Sequence, residues 1–340
     1  MKKKLLTLLL AALVLFSFTA CSKTKETSKD KDDDKAKAEK QIEDADEFYT
    51  KMQELEDVRP VAVMIDNDTS AARPQIGLES AYMVYEIVVE GRATRFMALF
   101  KDFELDKVGP VRSSRHYFLD YALENNAIYA HAGWSPKAAK DISSLGVNNI
   151  NGVAADSDIY WRDSTYDNTW HNLYTSTEKL SERADKKNYS RDNEGMLLEY
   201  NPKDTTPEGE SVSEISIPYA DFYKVSYKYD ETAKNFVRYV NGKTHDSQTG
   251  EALTAKNIIM YTVQNVNLPD TENKGRQDLK NIGSGTGYYF SDGKAVEIKW
   301  SKETRTGKTE YTLADGTPLV LNPGNTFVQI VPTYAEATFR

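Results

Sequence analysis

Apolar positions divide the chain into stretches of different rhythm. From Met1 to Cys21, three lysines (Lys2 to Lys4) are followed by an almost unbroken apolar run that ends in small and polar residues. Over residues 22–57 aliphatic residues nearly vanish from a background of Lys, Asp and Glu. Beyond residue 58 they return as short runs and alternations that read as strands, interrupted by segments with helical spacing.

The first of these runs, "RPVAVMIDND", predicts a buried strand from Val61 to Ile65 that leaves through a polar loop at Asp66 and Asn67. "AYMVYEIVVEGRATRFMALF" predicts two strands joined by a turn at Gly91. "GPVRSSRHYFLDYALENNA" reads as a loop and then an amphipathic helix, and "AIYAHAGWSP" as a strand through His131 with a break at Gly133. Ser135 is placed to cap the next helix, with Pro136 at its first position and Gly146 closing it. Thr175 and Glu178 have the spacing of a capping box for a further short helix.

The order over residues 95–146 is strand, helix, strand, helix, which predicts a helical crossover between parallel neighbours. Both helix N-termini then emerge at the C-terminal edge of the sheet, where ligands of open α/β sheets bind. Arg112, Arg115, His131 and Ser135 would share that rim, joined by Asp66 if its strand runs the same way. Residues 191–214 are rich in Pro, Gly, Ser and acids and read as a linker; from residue 215 alternation and Gly or Asn-Gly turns predict a β-rich unit. The fold class is therefore α/β: a layered sandwich with helices over a mixed, partly parallel sheet, plus a smaller β-rich C-terminal unit.

The N-terminal pattern is that of a bacterial lipoprotein signal, residues 1–20, ahead of Cys21 as the lipidated residue. Residues 21–57 would be a lipid-anchored charged tether, helical in its last part, because so little apolar surface cannot offset ordering entropy. The division that follows is 58–190 for an α/β N-terminal domain, 191–214 for the linker and 215–340 for the C-terminal domain. Localisation on the outer face of the cytoplasmic membrane is implied. A single cysteine allows no intramolecular disulfide, and a net charge of −9 argues against general binding to nucleic acid, which needs a basic footprint.

Arg112 and Arg115 sit where a helix N-terminus would favour acids. They either hold a phosphate or carboxylate from outside the chain, or pair with Glu86 and Glu90 and brace the fold. Asp66/Asn67 and Glu86/Glu90 could supply acid–base chemistry or a hard-metal site, against the commoner roles of loop cap and solvent-facing strand residue. His131 beside "GWSP" raises the question of Ser135 as a nucleophile. The stretch lacks the second glycine of a nucleophile elbow and Pro136 has no N–H for an oxyanion hole, so N-cap is the better role and His131 reads as a core histidine or a ligand-facing donor. His171 and Asn172 lie among aromatics, a composition that suits sugar or peptide stacking as well as core packing. With Arg95 they complete the candidate pocket. "GSGTG" at 283–287 reads as hairpin glycines, and the four histidines show no metal-ligand spacing, so no zinc site and no cofactor are expected.

The strings "RPVAVMIDND", "AYMVYEIVVEG", "GPVRSSRHYFLDYALE", "HAGWSP", "HNLYTS", "GYYFSDGKAVEIKWSK" and "NPGNTFVQIVP" resemble those of the YerB-like lipoproteins, bacterial proteins with an N-terminal and a C-terminal domain of unknown function. The resemblance implies a lipoprotein of Gram-positive type, an α/β sandwich with a layer of helices over packed sheet, and a place in the cell envelope beside peptidoglycan synthesis. It transfers no catalytic residues. The expectation is a binding or scaffold protein for a cell-wall fragment or an envelope protein, acting through an Arg-lined anion site. The alternative is an envelope hydrolase or transferase using Asp, Glu and His.

Overall fold

The computed structural model describes residues 28–101, 104–269 and 272–340; the signal segment and Cys21 lie outside the described residues. Helix α1, Ser28–Glu54, begins well before the last part of the charged stretch. Its Lys, Glu and Ala content favours helix, and its acids admit (i, i+4) pairs such as Lys40–Asp44. The expectation that this stretch has too little apolar surface to offset its ordering needs correction. Ala45, Phe48 and Met52 recur on one helical face; Ala45 and Met52 are buried, and the Phe48 ring meets Tyr200 edge-on at 5.2 Å.

The next strands follow the sequence pattern: β1 (Val61–Asn67), β2 (Met83–Val88) and β3 (Thr94–Phe100), with Gly91 at φ 66° in the connection between the last two. Helix α2 (His116–Glu124), strand β4 (Ile128–His131), helix α3 (Pro136–Ser144) and strand β5 (Asn149–Asn151) complete this region. The Ser135 hydroxyl caps α3 by accepting from the Ala138 N–H at 3.2 Å. Helix α4, Thr177–Lys186, is capped one residue later than the spacing suggested. Ser176 accepts from the Lys179 N–H, while the Thr175 hydroxyl donates to the Ile159 carbonyl.

One sheet runs through the molecule in the order Glu310–Leu313, Lys294–Lys302, Gly283–Ser291, Asn257–Val263, Thr326–Pro332, β2, β3, β1, β4, β5. The strand Thr326–Pro332 lies parallel to both β2 and Asn257–Val263, so a strand from the C-terminal region joins the two parts edge to edge. The segment expected to link them also pairs: Glu199–Tyr200 with Val320–Leu321, and Glu210–Ser211 with Lys294 and Ala295.

The crossover prediction needs correction as well. β3 and β4 are not parallel neighbours; β1 lies between them, antiparallel to β3 and parallel to β4. Parallel crossover geometry belongs instead to β4, α3 and β5. The loop after β3 carries the chain back along β1, where Val111 bridges Ile65 and the Arg112 N–H donates to the Met64 carbonyl at 2.9 Å. That return, and not a crossover, sets the start of α2 beside the C-terminal end of β1.

A second, six-stranded antiparallel sheet, including Glu214–Ala220, Tyr223–Asp230 and Asn235–Val240, covers one face of the large sheet. The other face packs against α2 and α1 through Tyr117, Phe118, Tyr121 and Met52. Period-2 alternation assigns β2 accordingly: Val84 and Val88 face the second sheet, Met83, Tyr85 and Ile87 face the helices. "GSGTG" opens the strand Gly283–Ser291 and is not a hairpin turn. Its glycines permit close approach: a Cβ on Gly287 would lie 2.5 Å from the Met260 carbonyl oxygen, and one on Gly285 2.8 Å from Trp300 Nε1.

Candidate functional site

The parallel strands β1 and β4 end at the same edge, and β3 begins there, with Asp66 opposite Arg95. The returning loop adds Arg112 and Arg115 to that edge, and His171 arrives from the loop before α4. The result is a chain of alternating charges. His171 Nδ1 lies 2.6 Å from Asp66 Oδ2, and Arg112 Nε 2.9 Å from the same oxygen. Arg112 continues to Asp68 at 3.2 Å, and Asp68 is held at 3.4 Å by Arg95, which also donates to the Ser113 carbonyl. Arg115 pairs separately with Glu90 at 2.6 Å and donates to the Ser114 carbonyl.

These contacts set the protonation states. Burial disfavours the Asp66 carboxylate, but the His171 hydrogen bond and the Arg112 charge outweigh it and hold its pKa below the usual carboxylate range. The same hydrogen bond raises the pKa of His171 against its own burial. Glu90 is depressed in spite of burial by its bond to Arg115. Burial lowers Arg95.

An open cleft of about 370 Å³ lies against this edge, lined by Asp68, Glu90, Arg95, Ser113, Arg115 and Trp134 among others. Trp134 is 43 % exposed, yet its backbone is fixed: it bridges Ser114 and precedes the Ser135 cap. Lys274 and Arg276, from the arm that carries the hairpin Asn265–Asn267 and Gln277–Leu279, complete the lining. That arm is tied to α2 by Asp278, 2.6 Å from His116 Nε2.

Of the residues singled out from sequence, Glu90, Arg95 and Arg115 line the cleft, and Asp66, Arg112 and His171 form the charge chain behind it. Glu86 does not pair with Arg112 or Arg115. Alternation turns it toward the second sheet, where, fully buried, it meets Arg238 at 2.8 Å and accepts from Thr94 and Tyr223. His131 is fully buried, its Nδ1 2.8 Å from the Gly133 carbonyl, stacked on Tyr129 and 5.7 Å from the Trp134 ring, so it supports the cleft wall from behind. Asn172 braces its own loop, accepting from Arg162 and donating to the Asp167 carbonyl. Sequence reasoning missed Asp68, Ser113 and Trp134. Asp68 and Trp134 stand in motifs already recognised, and alternating acids at a strand end and a tryptophan beside a cap could have flagged them. No local signal could have brought in Lys274 and Arg276.

Family models place residues 49–190 in the N-terminal domain, and residues 215–328 in the C-terminal domain, of a protein of unknown function (DUF3048). The chain is 33 % identical over 290 residues to YerB of Bacillus subtilis (strain 168), whose name describes a lipoprotein, covering 84 % of this chain and 85 % of the relative. The crystal structure of the YerB protein from Bacillus subtilis matches the fold with a TM-score of 0.73 at 31 % identity, over 84 % of this chain and 96 % of that one. Among the described residues, no helix is long and apolar enough to cross a membrane.

Proposed function

Since the chain belongs to the DUF3048 family, with that family's two domains in order, we propose that it is a membrane-anchored binding protein of the cell envelope that captures a polar envelope component in the Arg-lined cleft. Lipid on Cys21 would hold it at the outer face of the cytoplasmic membrane, and the component would be a wall fragment or an envelope protein. The observation that carries this reading is the convergence of Asp68, Glu90, Arg95, Arg115 and Trp134 on one open cleft. Asp68, Glu90 and Arg95 lie at the ends of three separate strands, and Arg115 and Trp134 in the loops before two helices, a placement that gives a rigid scaffold to polar groups at a sheet edge. The free-anion chemistry expected of the arginines is weakened, because Arg95 and Arg115 already hold carboxylates of the chain.

The test is sedimentation of the full chain, in detergent, with insoluble purified cell wall. Wild type is expected to pellet with the wall and Glu90→Gln/Arg115→Gln to stay in solution while remaining folded. Equal pelleting of both would show that the cleft is not the binding site. Cys21→Ser tests the anchor: the protein should move from the membrane fraction to the medium.

A second reading, an envelope hydrolase or transferase, is favoured by one contact. With Nδ1 of His171 committed to Asp66, Nε2 is the ring nitrogen left for proton exchange, the arrangement of an acid–base dyad. Burial and their own partners remove Glu86 and His131 from that role. Turnover of soluble wall fragments that is lost in His171→Ala would favour it, and no turnover by wild type would exclude it.

A further inference from the structure

Resting on the cleft as the binding site, we infer that its ligand is a glycan, recognised through the hydroxyls and the apolar ring face of a pyranose and not through a charge. Three features of the cleft lead there.

First, the arginines of its wall are already paired in place with acids of the chain, and Arg276 on the arm pairs with Glu272 at 2.8 Å. Glu90 Oε1 lies 2.6 Å from Arg115 Nε, and Asp68 accepts from both Arg95 and Arg112. An incoming carboxylate or phosphate has to compete with built-in carboxylates at contact distance and meets their repulsion. A hydroxyl-rich neutral ligand meets neither cost.

Second, the paired groups keep hydrogen-bonding capacity in fixed directions. Arg115 uses Nε on Glu90 and Nη1 on the Ser114 carbonyl, so with respect to the described residues Nη2 keeps its donors for a ligand. Glu90 engages Arg115 through Oε1, and among the described residues no other side chain donates to its Oε2. A planar donor beside a planar acceptor, each immobilised by the other, suits the adjacent hydroxyls of a sugar, each of which both donates and accepts.

Third, Trp134 supplies an apolar platform in the same cleft. An indole 43 % exposed in a fixed backbone costs the free protein apolar hydration, and the C–H face of a pyranose covers such a ring while its edge hydroxyls reach the polar groups. An exposed tryptophan, fixed ion pairs and an open cleft together favour an extended polymer passing through, with one or two sugar rings held at a time.

The test follows tryptophan indole N–H resonances of the full chain in detergent, with Trp134 assigned from Trp134→Phe, during titration with a neutral β-1,4-linked N-acetylglucosamine tetramer and, separately, with inorganic phosphate. The expected result is that the neutral tetramer shifts the Trp134 signal while phosphate does not. Trp134→Ala should then weaken tetramer binding about tenfold or more with an unchanged melting temperature. Glu90→Gln, which keeps the shape and loses one acceptor, should weaken it independently. A signal moved by phosphate alone would overturn the glycan inference and leave the cleft as an anion site. Tetramer binding unaffected by Trp134→Ala would overturn the inference as well. No response to either probe, together with equal wall sedimentation of wild type and Glu90→Gln/Arg115→Gln, would overturn both the inference and the cleft reading.

Discussion

Glu86→Gln keeps the shape of a side chain at the centre of the molecule and removes its charge. Arg238 would then stand as an uncompensated guanidinium between the two sheets, since both side chains are 0 % exposed at an N–O separation of 2.8 Å. The remaining partners of Arg238 are neutral: the Tyr223 and Tyr227 hydroxyls and the His245 ring, the last held neutral by burial and the adjacent cation. The new amide keeps one acceptor oxygen and so turns its N–H donors either toward the Arg238 guanidinium, which now donates to Oε2, or toward the Thr94 and Tyr223 hydroxyls, which now donate to Oε1 at 2.8 and 2.6 Å. Breaking a buried pair by removing one partner costs about 3–5 kcal/mol, against a global stability of about 5–15 kcal/mol for a typical domain. Glu90→Gln serves as the internal control. Its pair with Arg115 keeps 18 % and 15 % of the side-chain surface, so the loss is expected at about 1 kcal/mol. Urea unfolding followed by far-ultraviolet circular dichroism and tryptophan fluorescence reads both values, and coincidence of the two probes licenses the comparison. Glu86→Gln/Arg238→Met, with both charges gone, should lose less than the sum of the single changes. A Glu86→Gln cost near that of Glu90→Gln, or an additive double variant, would refute the reasoning.

The Asp66–His171 bond raises the folded pKa of His171 above its unfolded value of about 6.5, so its stabilisation is full below that pH and is lost as pH rises through the folded value. The stability gap between wild type and His171→Ala, about 1.5–3 kcal/mol at pH 6, should therefore shrink by pH 9; a gap independent of pH would refute the pairing. Met52→Ala removes the buried anchor of α1 and should cost about 2–5 kcal/mol in thermal unfolding of the full chain, whereas an unchanged melt would mean that α1 is not docked. Gly287→Ala puts a methyl group 2.5 Å from the Met260 carbonyl oxygen and should destabilise by about 2 kcal/mol or more, as read by urea midpoint; wild-type stability would show that the strands approach less closely.

Legibility of the site followed the range of the interactions involved. The rim of Arg112, Arg115, His131 and Ser135, joined by Asp66, was predicted from the order of elements; Asp66, Arg112 and Arg115 did meet at that edge with Ser135 in the cleft lining, although through a returning loop and not the expected crossover, while His131 is buried behind it. The partner of Arg115 was within reach of sequence, because Glu90 follows the end of β2 just before the turn that leads to Arg95. The partner of Glu86 was not. Arg238 lies 152 residues away, and nothing local to "NFVRYV" says which buried group it faces.

Sequence alone determined where most of the strands and helices form. Period-2 alternation fixed β2 and Asn235–Val240, and the Ser135–Pro136 pair fixed the start of α3, because steric and capping preferences act within a few residues. Only the structure shows that Arg238 shares its buried face with Phe236 and Val240, because Val237 and Tyr239 give the opposite face of that strand a comparably apolar pattern. Tertiary structure decided which strands became neighbours, and with that which charges cancelled. Parallel placement of Thr326–Pro332 beside β2 joined the two regions into one sheet, and packing of the second sheet on its face brought Arg238 to Glu86. Those choices depend on the total apolar area buried and on satisfying every desolvated charge at once. Both quantities belong to the whole fold, which is why Arg112 and Arg115 met acids within the chain and left Trp134 facing solvent.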